Sequence, residues 1–382
     1  MKISEKNKFL TIVVLFWFAQ YVYIPYQTPY LTAISVNAGF IGIIIGAYGL
    51  SQMLLRIPLG VAADLKVNHR ILVILGAFLA GLASLIRIIV PSGQGFLWAN
   101  IVSGIASATW ISFIVMFLKI NSPKSKLQSM GTLVTFNNIG MLCGFLFASL
   151  FSSTVSMKGL CMVGMLCGFL GGIIAITLKK QSYQSRDNQS VMSLLSALKN
   201  KRLLLCAFLA LIQQGIQMST TMSFTTQVIS SLHAPSYAEG LASIIYMLAA
   251  VVFASMTSGK LMQKISKKTI LVISFFLLAV YCFLVPKMTS VYAIYLLQLI
   301  PGLGTGVLFA TLNAESISEI PADKVSTATG FFQAVYALGM TTFPIIAGQI
   351  KGQYSIEAAF SVLAVCALVG GVVSLLYKER NN

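Results

Sequence analysis

Few side chains in this sequence are able to do chemistry, and where they stand limits what that chemistry can be. Of 382 residues, 57% are hydrophobic and 9% are charged, whereas a soluble protein carries about 25% charge. Six cysteines (143, 161, 167, 206, 282 and 366) are scattered through apolar runs without a CxxC pair, and His69 and His233 read as loop residues. That spacing supplies neither a disulfide framework nor a metal site, so no metal and no cofactor are expected. No nucleophile, acid/base pair or metal cluster stands at the end of an apolar run. An integral-membrane enzyme acting on lipid is therefore disfavoured, and the chain is read as a non-enzyme. What is left is the chemistry of binding and gating: amides, hydroxyls and indoles inside apolar runs, and charges where such runs meet.

The elements that must position these groups are membrane helices. A bilayer-crossing helix needs roughly 20 mostly apolar residues, and twelve such segments are present: 9–31, 39–62, 71–90, 95–118, 128–152, 159–178, 203–229, 239–259, 269–286, 290–314, 325–350 and 355–377. The first is too long for the apolar core of a signal peptide. Helix is the expected conformation because each span must satisfy its own backbone polar groups. The net charge of +17 falls in short gaps rather than on one face, which argues against nucleic acid. With the N-terminus in the cytoplasm, 21 of the 26 Lys and Arg residues fall on the cytoplasmic side and three outside, with Arg56 and Arg87 inside spans. That bias predicts a multi-pass cell-membrane protein with both termini cytoplasmic.

The chain also repeats itself. At an offset of 199 residues Gly60 falls on Gly259, Gly131 on Gly330 and Gly140 on Gly339; at 198, Asn100 and Gly104 fall on Gln298 and Gly302. The division expected from this is a six-helix bundle over 1–180, a cytoplasmic linker over 181–200, and a second six-helix bundle over 201–382. A surface-lying helix is an expectation for the linker near 191–198. Internal repeats of this kind carry a solute site near the midplane between them.

The charged hairpin between the second and third spans is the most specific motif. Arg56-x-Pro58-x-Gly60-x-x-x-Asp64, followed by Arg70, resembles the loop between helices 2 and 3 of the major facilitator superfamily of transporters. Arg56, Gly60 and Asp64 share one helix face. The resemblance implies a gating role, with Asp64 and Arg70 engaging basic groups and the N-terminus of helix 11 to hold the outward-open state. It also implies an all-α fold of twelve helices, alternating access, and a cavity lined by helices 1, 4, 7 and 10. The sequence departs from the family pattern at Val67 and Asn68, at Gln263 in the second-half loop, at Asn100 where proton-coupled members carry arginine, and at Met141 where antiporters carry proline.

Cavity candidates follow from polar residues within those four spans: Trp17, Gln20, Gln27, Asn100, Ser107, Gln213, Gln217 and Gln298, with Tyr23, Ser103, Thr221 and Thr305 beside them. Each must face a partner helix or water, because an unsatisfied amide in hydrocarbon is costly. Arg87, near the outer end of span 3, reads first as an interfacial arginine that snorkels to water. Its functional alternative is a charged gate attracting an anion. No Asp or Glu stands mid-span, with Glu239 at an external mouth and Glu315, Glu319 and Asp323 at a cytoplasmic end, so proton coupling through a buried carboxylate is not expected. The expected activity is secondary active transport of a small organic solute by a monomer. Efflux is preferred over nutrient or metabolite uptake because the chain is short and lacks a sugar-porter signature.

Overall fold

The computed structural model describes residues 4–64, 68–121, 126–179, 199–235, 237–256, 265–321 and 324–378. The linker helix near 191–198, the Gly259 loop and Asp323 lie outside the described residues. So does the side chain of Asp64, although its backbone closes the second helix.

Among the described residues, twelve helices are long and apolar enough to cross a membrane: α1 Glu5–Ala33, α2 Ala38–Val61, α3 His69–Ile89, α4 Gly93–Ile120, α5 Ser129–Leu150, α6 Met157–Ile176, α7 Lys201–Ser231, α8 Ala238–Met256, α9 Lys267–Lys287, α10 Val291–Ile317, α11 Thr327–Gln353 and α12 Ile356–Ser374. Seven of them start on a side-chain cap. Ser4, Asn37, Ser92, Ser156, Asn200, Ser266 and Ser355 each accept from the backbone N–H three residues on, satisfying a donor that the first turn leaves bare. His69 is not a loop residue: it opens α3, buried, with Nδ1 3.1 Å from the Ser112 hydroxyl. An even number of crossings returns the chain to the face where it begins, called here the terminal face.

Four helices are not regular. The helix of α1 breaks at Val22–Tyr23, ahead of Pro25 and Pro29, and α4 breaks at Thr109. A π-turn widens α7 at Thr220–Phe224 and α10 at Gly304–Phe309. The Pro301–Gly306 glycine run is thus helix and π-turn, as its place inside a span requires. Irregular turns of this kind recur at functional sites, and these fall in the four helices expected to line a cavity.

The two halves, α1–α6 and α7–α12, repeat in their contacts as well as in sequence. A Cβ on Gly140 would lie 2.6 Å from the Val14 carbonyl of α1, and one on Gly339 would lie 2.1 Å from the Leu211 carbonyl of α7. Gly104 rests likewise on the Tyr48 carbonyl of α2, and Gly302 on the Tyr246 carbonyl of α8. Between the halves, α2 and α11 run together from one face to the other. Gly42 and Gly46 meet the Pro344 and Thr341 carbonyls, Gly348 meets the Ala38 carbonyl, and Gly330 lies against Gly60 and the Arg56 carbonyl. Such small residues let backbones approach without a side chain between them.

Other seams meet at the face opposite the termini. There Thr28 and Ser223 hydroxyls lie 3.0 Å apart, Gln227 donates to Thr32 at 2.9 Å, and Ser149 donates to the Tyr237 carbonyl at 3.2 Å. At the terminal face of the second half, Glu315 gathers three helices and the C-terminal segment. It accepts from Arg202 at 2.7 Å, Lys267 at 2.5 Å and Tyr377 at 2.6 Å. Burial, and then the bond to Glu315, hold the Tyr377 phenol above its usual ionisation range, so it stays a donor.

Gly348→Leu should wedge α11 from α2, because its Cβ would sit 2.5 Å from the Ala38 carbonyl. Overpacking of this kind costs about 1–3 kcal/mol. A lower thermal unfolding midpoint in detergent is expected, whereas Gly131→Leu, where a Cβ meets nothing within 4 Å, should leave it unchanged.

Candidate functional site

A narrow pocket with a cavity volume of about 20 Å³ lies where the halves meet, lined by Gln20, Tyr21, Tyr23, Ile24 and Gln27 of α1, Ile45 and Tyr48 of α2, Asn100 of α4, and Met218 and Met222 of α7. Of the sequence candidates, Gln20, Gln27 and Asn100 line this pocket.

The remaining candidates stand behind it. Ser107 is the hub of a three-residue network, accepting from Gln20 at 3.0 Å and lying 2.9 Å from the Tyr48 hydroxyl. Gln20 also donates to the Ser103 carbonyl at 3.0 Å. Trp17 packs edge-on against Phe16 and Trp110. Gln213 donates to Gln217 at 3.2 Å. Gln298 is fully buried inside the second half, accepting from Tyr281 at 3.3 Å.

The network around Ser107 occurs twice. In the second half Gln217 donates to the Tyr246 hydroxyl at 2.5 Å, that hydroxyl lies 2.9 Å from Thr305, and Thr305 donates back to Gln217 at 3.3 Å. Tyr246 and Thr305 stand 198 positions after Tyr48 and Ser107, and Gln217 stands 197 after Gln20. Each half thus holds a Gln–Tyr–hydroxyl triad across three helices. Tyr21 lies within electrostatic reach of both Tyr48 and Tyr246, and of Tyr336 from α11; of these, Tyr21 and Tyr48 line the pocket. The two tyrosines were not among the sequence candidates. The 198-residue offset already in hand for Asn100 and Gln298 was the signal that could have found them.

Arg87 does not snorkel. Its side chain is 2% exposed and turns into the first half, donating to the Tyr23 hydroxyl at 2.7 Å, to Asn100 Oδ1 at 2.7 Å and to Ser103 at 3.1 Å. The guanidinium stacks on the Tyr23 ring at 3.7 Å. Tyr23 and Asn100 both line the pocket, so the charge sits one residue behind its wall. All its partners belong to the first half, which makes it a cavity-side charge rather than a contact between halves. No carboxylate pairs with it among the described residues, and its Nε and Nη1 have no acceptor. A permanently charged side chain held this way presents positive potential to whatever enters the pocket. Tyr281 and Gln298 occupy the corresponding place in the second half without a charge.

Of the motif residues, Arg56 crosses the seam. It is 5% exposed, donates to Gln52 Oε1 and the Tyr336 hydroxyl, and lies 5.0 Å from the Tyr336 ring centroid. Arg70 caps a different helix, donating to the Ile176 carbonyl at the end of α6, where a cation meets the negative end of the helix dipole.

Twelve membrane-length helices in two like halves, with a polar pocket where they meet, define a secondary transporter. A family model described as Major Facilitator Superfamily matches residues 9–230 and 203–382, and the chain belongs to that superfamily. It is 22% identical over 370 residues to an uncharacterised MFS-type transporter of Methanocaldococcus jannaschii, covering 93% of each chain. It is 24% identical over 358 residues to the multi-drug resistance efflux pump PmrA of Streptococcus pneumoniae, covering 89% of this chain and 86% of that one. The crystal structure of the nucleoside transporter NupG superposes with a TM-score of 0.77 at 16% identity, covering 98% of this chain and all of that one; an alanine variant of NupG gives 0.80 at 15% identity. The protein is accordingly a multi-pass membrane transporter, not an enzyme.

Asn100→Leu should destabilise the first half by about 1–3 kcal/mol, because it strips a buried guanidinium of an acceptor. Adding Arg87→Met should recover part of the loss, since replacing both members of a buried polar pair is far milder than removing one. Thermal unfolding of the two single variants and the double variant measures this coupling.

Proposed function

We propose that the chain moves a small organic solute with an aromatic surface and several hydrogen-bonding groups across the cell membrane by alternating access, in the direction of efflux. The observation that carries this reading is the pair of Gln–Tyr–hydroxyl triads, one in each half, the first presenting Gln20 and Tyr48 to a pocket whose other side is Met218 and Met222. Aromatic faces and flexible thioethers accommodate varied apolar shapes, while amides and phenols fix orientation. The Arg87 charge behind the wall disfavours cationic solutes and suits neutral, zwitterionic or anionic ones. The likeness to an efflux pump supports the direction, and the basic-residue bias supports a cytoplasmic terminal face.

In this reading the units 1–180 and 201–382 rock about the pocket. Asp64 and Arg70 secure the cytoplasmic side, and the Arg56–Tyr336 contact keeps α2 on α11 as the halves turn. The α2–α11 glycine seam is the line about which the halves turn.

The test is binding followed by flux. A solute at 100 times its dissociation constant stabilises the folded state by about 2.7 kcal/mol, so a thermal-shift screen of drugs and metabolites should pick out aromatic, non-cationic compounds. In proteoliposomes Gln20→Leu and Tyr246→Phe should each raise the KM for a compound found this way, and Asp64→Asn should lower the turnover rate. Binding that survives both cavity substitutions unchanged would remove the pocket from the mechanism, and a rate untouched by Asp64→Asn would remove the gate.

A further inference from the structure

The first turn of α8 holds a carboxyl group that the sequence places at an outer mouth but the structure buries. Glu239 is 6% exposed, and its Oε2 has neither solvent nor a hydrogen-bond partner. The Ser230 side chain of α7 and the residue's own backbone N–H are the polar groups nearest the carboxyl. Its surroundings come from both halves. A Cβ on the neighbouring Gly240 would lie 2.6 Å from Ser149 Cβ of α5 and 2.7 Å from the Tyr26 hydroxyl of α1. Ser149 donates to the Tyr237 carbonyl at 3.2 Å, and Tyr295 of α10 donates to the Ala238 carbonyl at 3.3 Å.

The titratable groups facing Glu239 are the phenols of Tyr26 and Tyr295, with Tyr237 just before it in sequence. Phenols ionise near pH 10 and stay neutral below it. Among the described residues no Lys, Arg or His pairs with Glu239. His233 in the α7–α8 loop is exposed and bonds to the Ser231 carbonyl instead. An ionised carboxylate held in this seam, with one oxygen bare and no cation beside it, would be offset only by the positive end of the α8 helix dipole, which is weak against the cost of burying a charge. A neutral carboxylic acid has one charge fewer to desolvate and an O–H to donate.

We propose that Glu239 is a proton-binding site that couples protonation to closure of the seam between α1, α5 and α8 at the face opposite the termini. The inference rests on the transporter reading above and adds to it the coupling ion. Closed, the seam holds the acid form. Opened, it lets water reach the carboxyl, and the proton leaves to bulk solvent from the O–H bond, whose electrons stay on the carboxylate. Low pH therefore favours the closed seam and high pH the open one. A single linked proton changes the open-to-closed ratio by at most about tenfold per pH unit.

The experiment measures distances between spin labels at Ser153→Cys and Thr289→Cys, in full-length protein whose native cysteines are replaced, across pH 5 to 9. In the parent protein the long-distance population should grow with pH. Glu239→Gln, a stand-in for the protonated acid, should hold the short distance throughout. Glu239→Asp should restore the response, and His233→Gln should not alter it. Size-exclusion profiles and unfolding midpoints check that each variant folds. A Glu239→Gln protein that follows pH like its parent, or a parent with two populations indifferent to pH, overturns the proton site and leaves the rocking of the halves intact. A seam that stays closed under every condition overturns both.

Discussion

Hydrocarbon offers no partner for an amide, a hydroxyl or a charge, and nearly every feature of this protein answers to that constraint. The backbone answers it by forming helices capped at their starts. Side chains answer it by bonding across helices, which is why Gln20, Ser107 and Tyr48 form one network rather than three separate surface groups. The same pressure pulls Arg87 inward. Its four-bond stem could have carried the guanidinium toward water, but Tyr23, Asn100 and Ser103 together offer three acceptors and an aromatic face, and the charge settles there.

Packing between the halves follows a second rule, since apolar surface gains little from meeting apolar surface inside lipid. Close backbone approach is what makes α2 and α11 adhere, and glycines at 42, 46, 330 and 348 provide it. The other seams at the face opposite the termini are built from hydroxyls, one glutamine and a buried acid. Contacts of that type can be exchanged for water at modest cost, so the molecule has one seam suited to persist and others suited to part.

The sequence shows the twelve spans, the twofold repeat and the charged hairpin, because apolar length, charge bias and glycine spacing survive in one dimension. Polar residues on the cavity helices were legible as a group, but Gln20, Gln27 and Asn100 line the pocket while Trp17, Ser107, Gln213, Gln217 and Gln298 do not, because spacing does not tell a wall from the layer behind it. Arg87 was misplaced because snorkelling and burial look alike until the neighbouring helix shows which acceptors it brings. Glu239 was misjudged for a related reason: it stands one residue into its helix, and only packing by α1, α5 and α10 converts that apparent mouth into an interior. Tyr48 and Tyr246 were passed over because their helices carry the seams between halves as well as part of the wall.

The π-turns of α7 and α10 have a consequence for how this chain can vary. A π-turn accommodates one residue more than the roughly 3.6 of an α-turn. Losing a residue from Gly304–Phe309 would let the helix rewind, turning everything on one side of it by about 100° relative to the other. Thr305 would then leave Tyr246, or the Glu315 cluster would leave Arg202. Substitutions can accumulate freely along these helices, but their length is held fixed at both sites, and a change in residue count there can pass only if the triad and the charged cluster are rebuilt together.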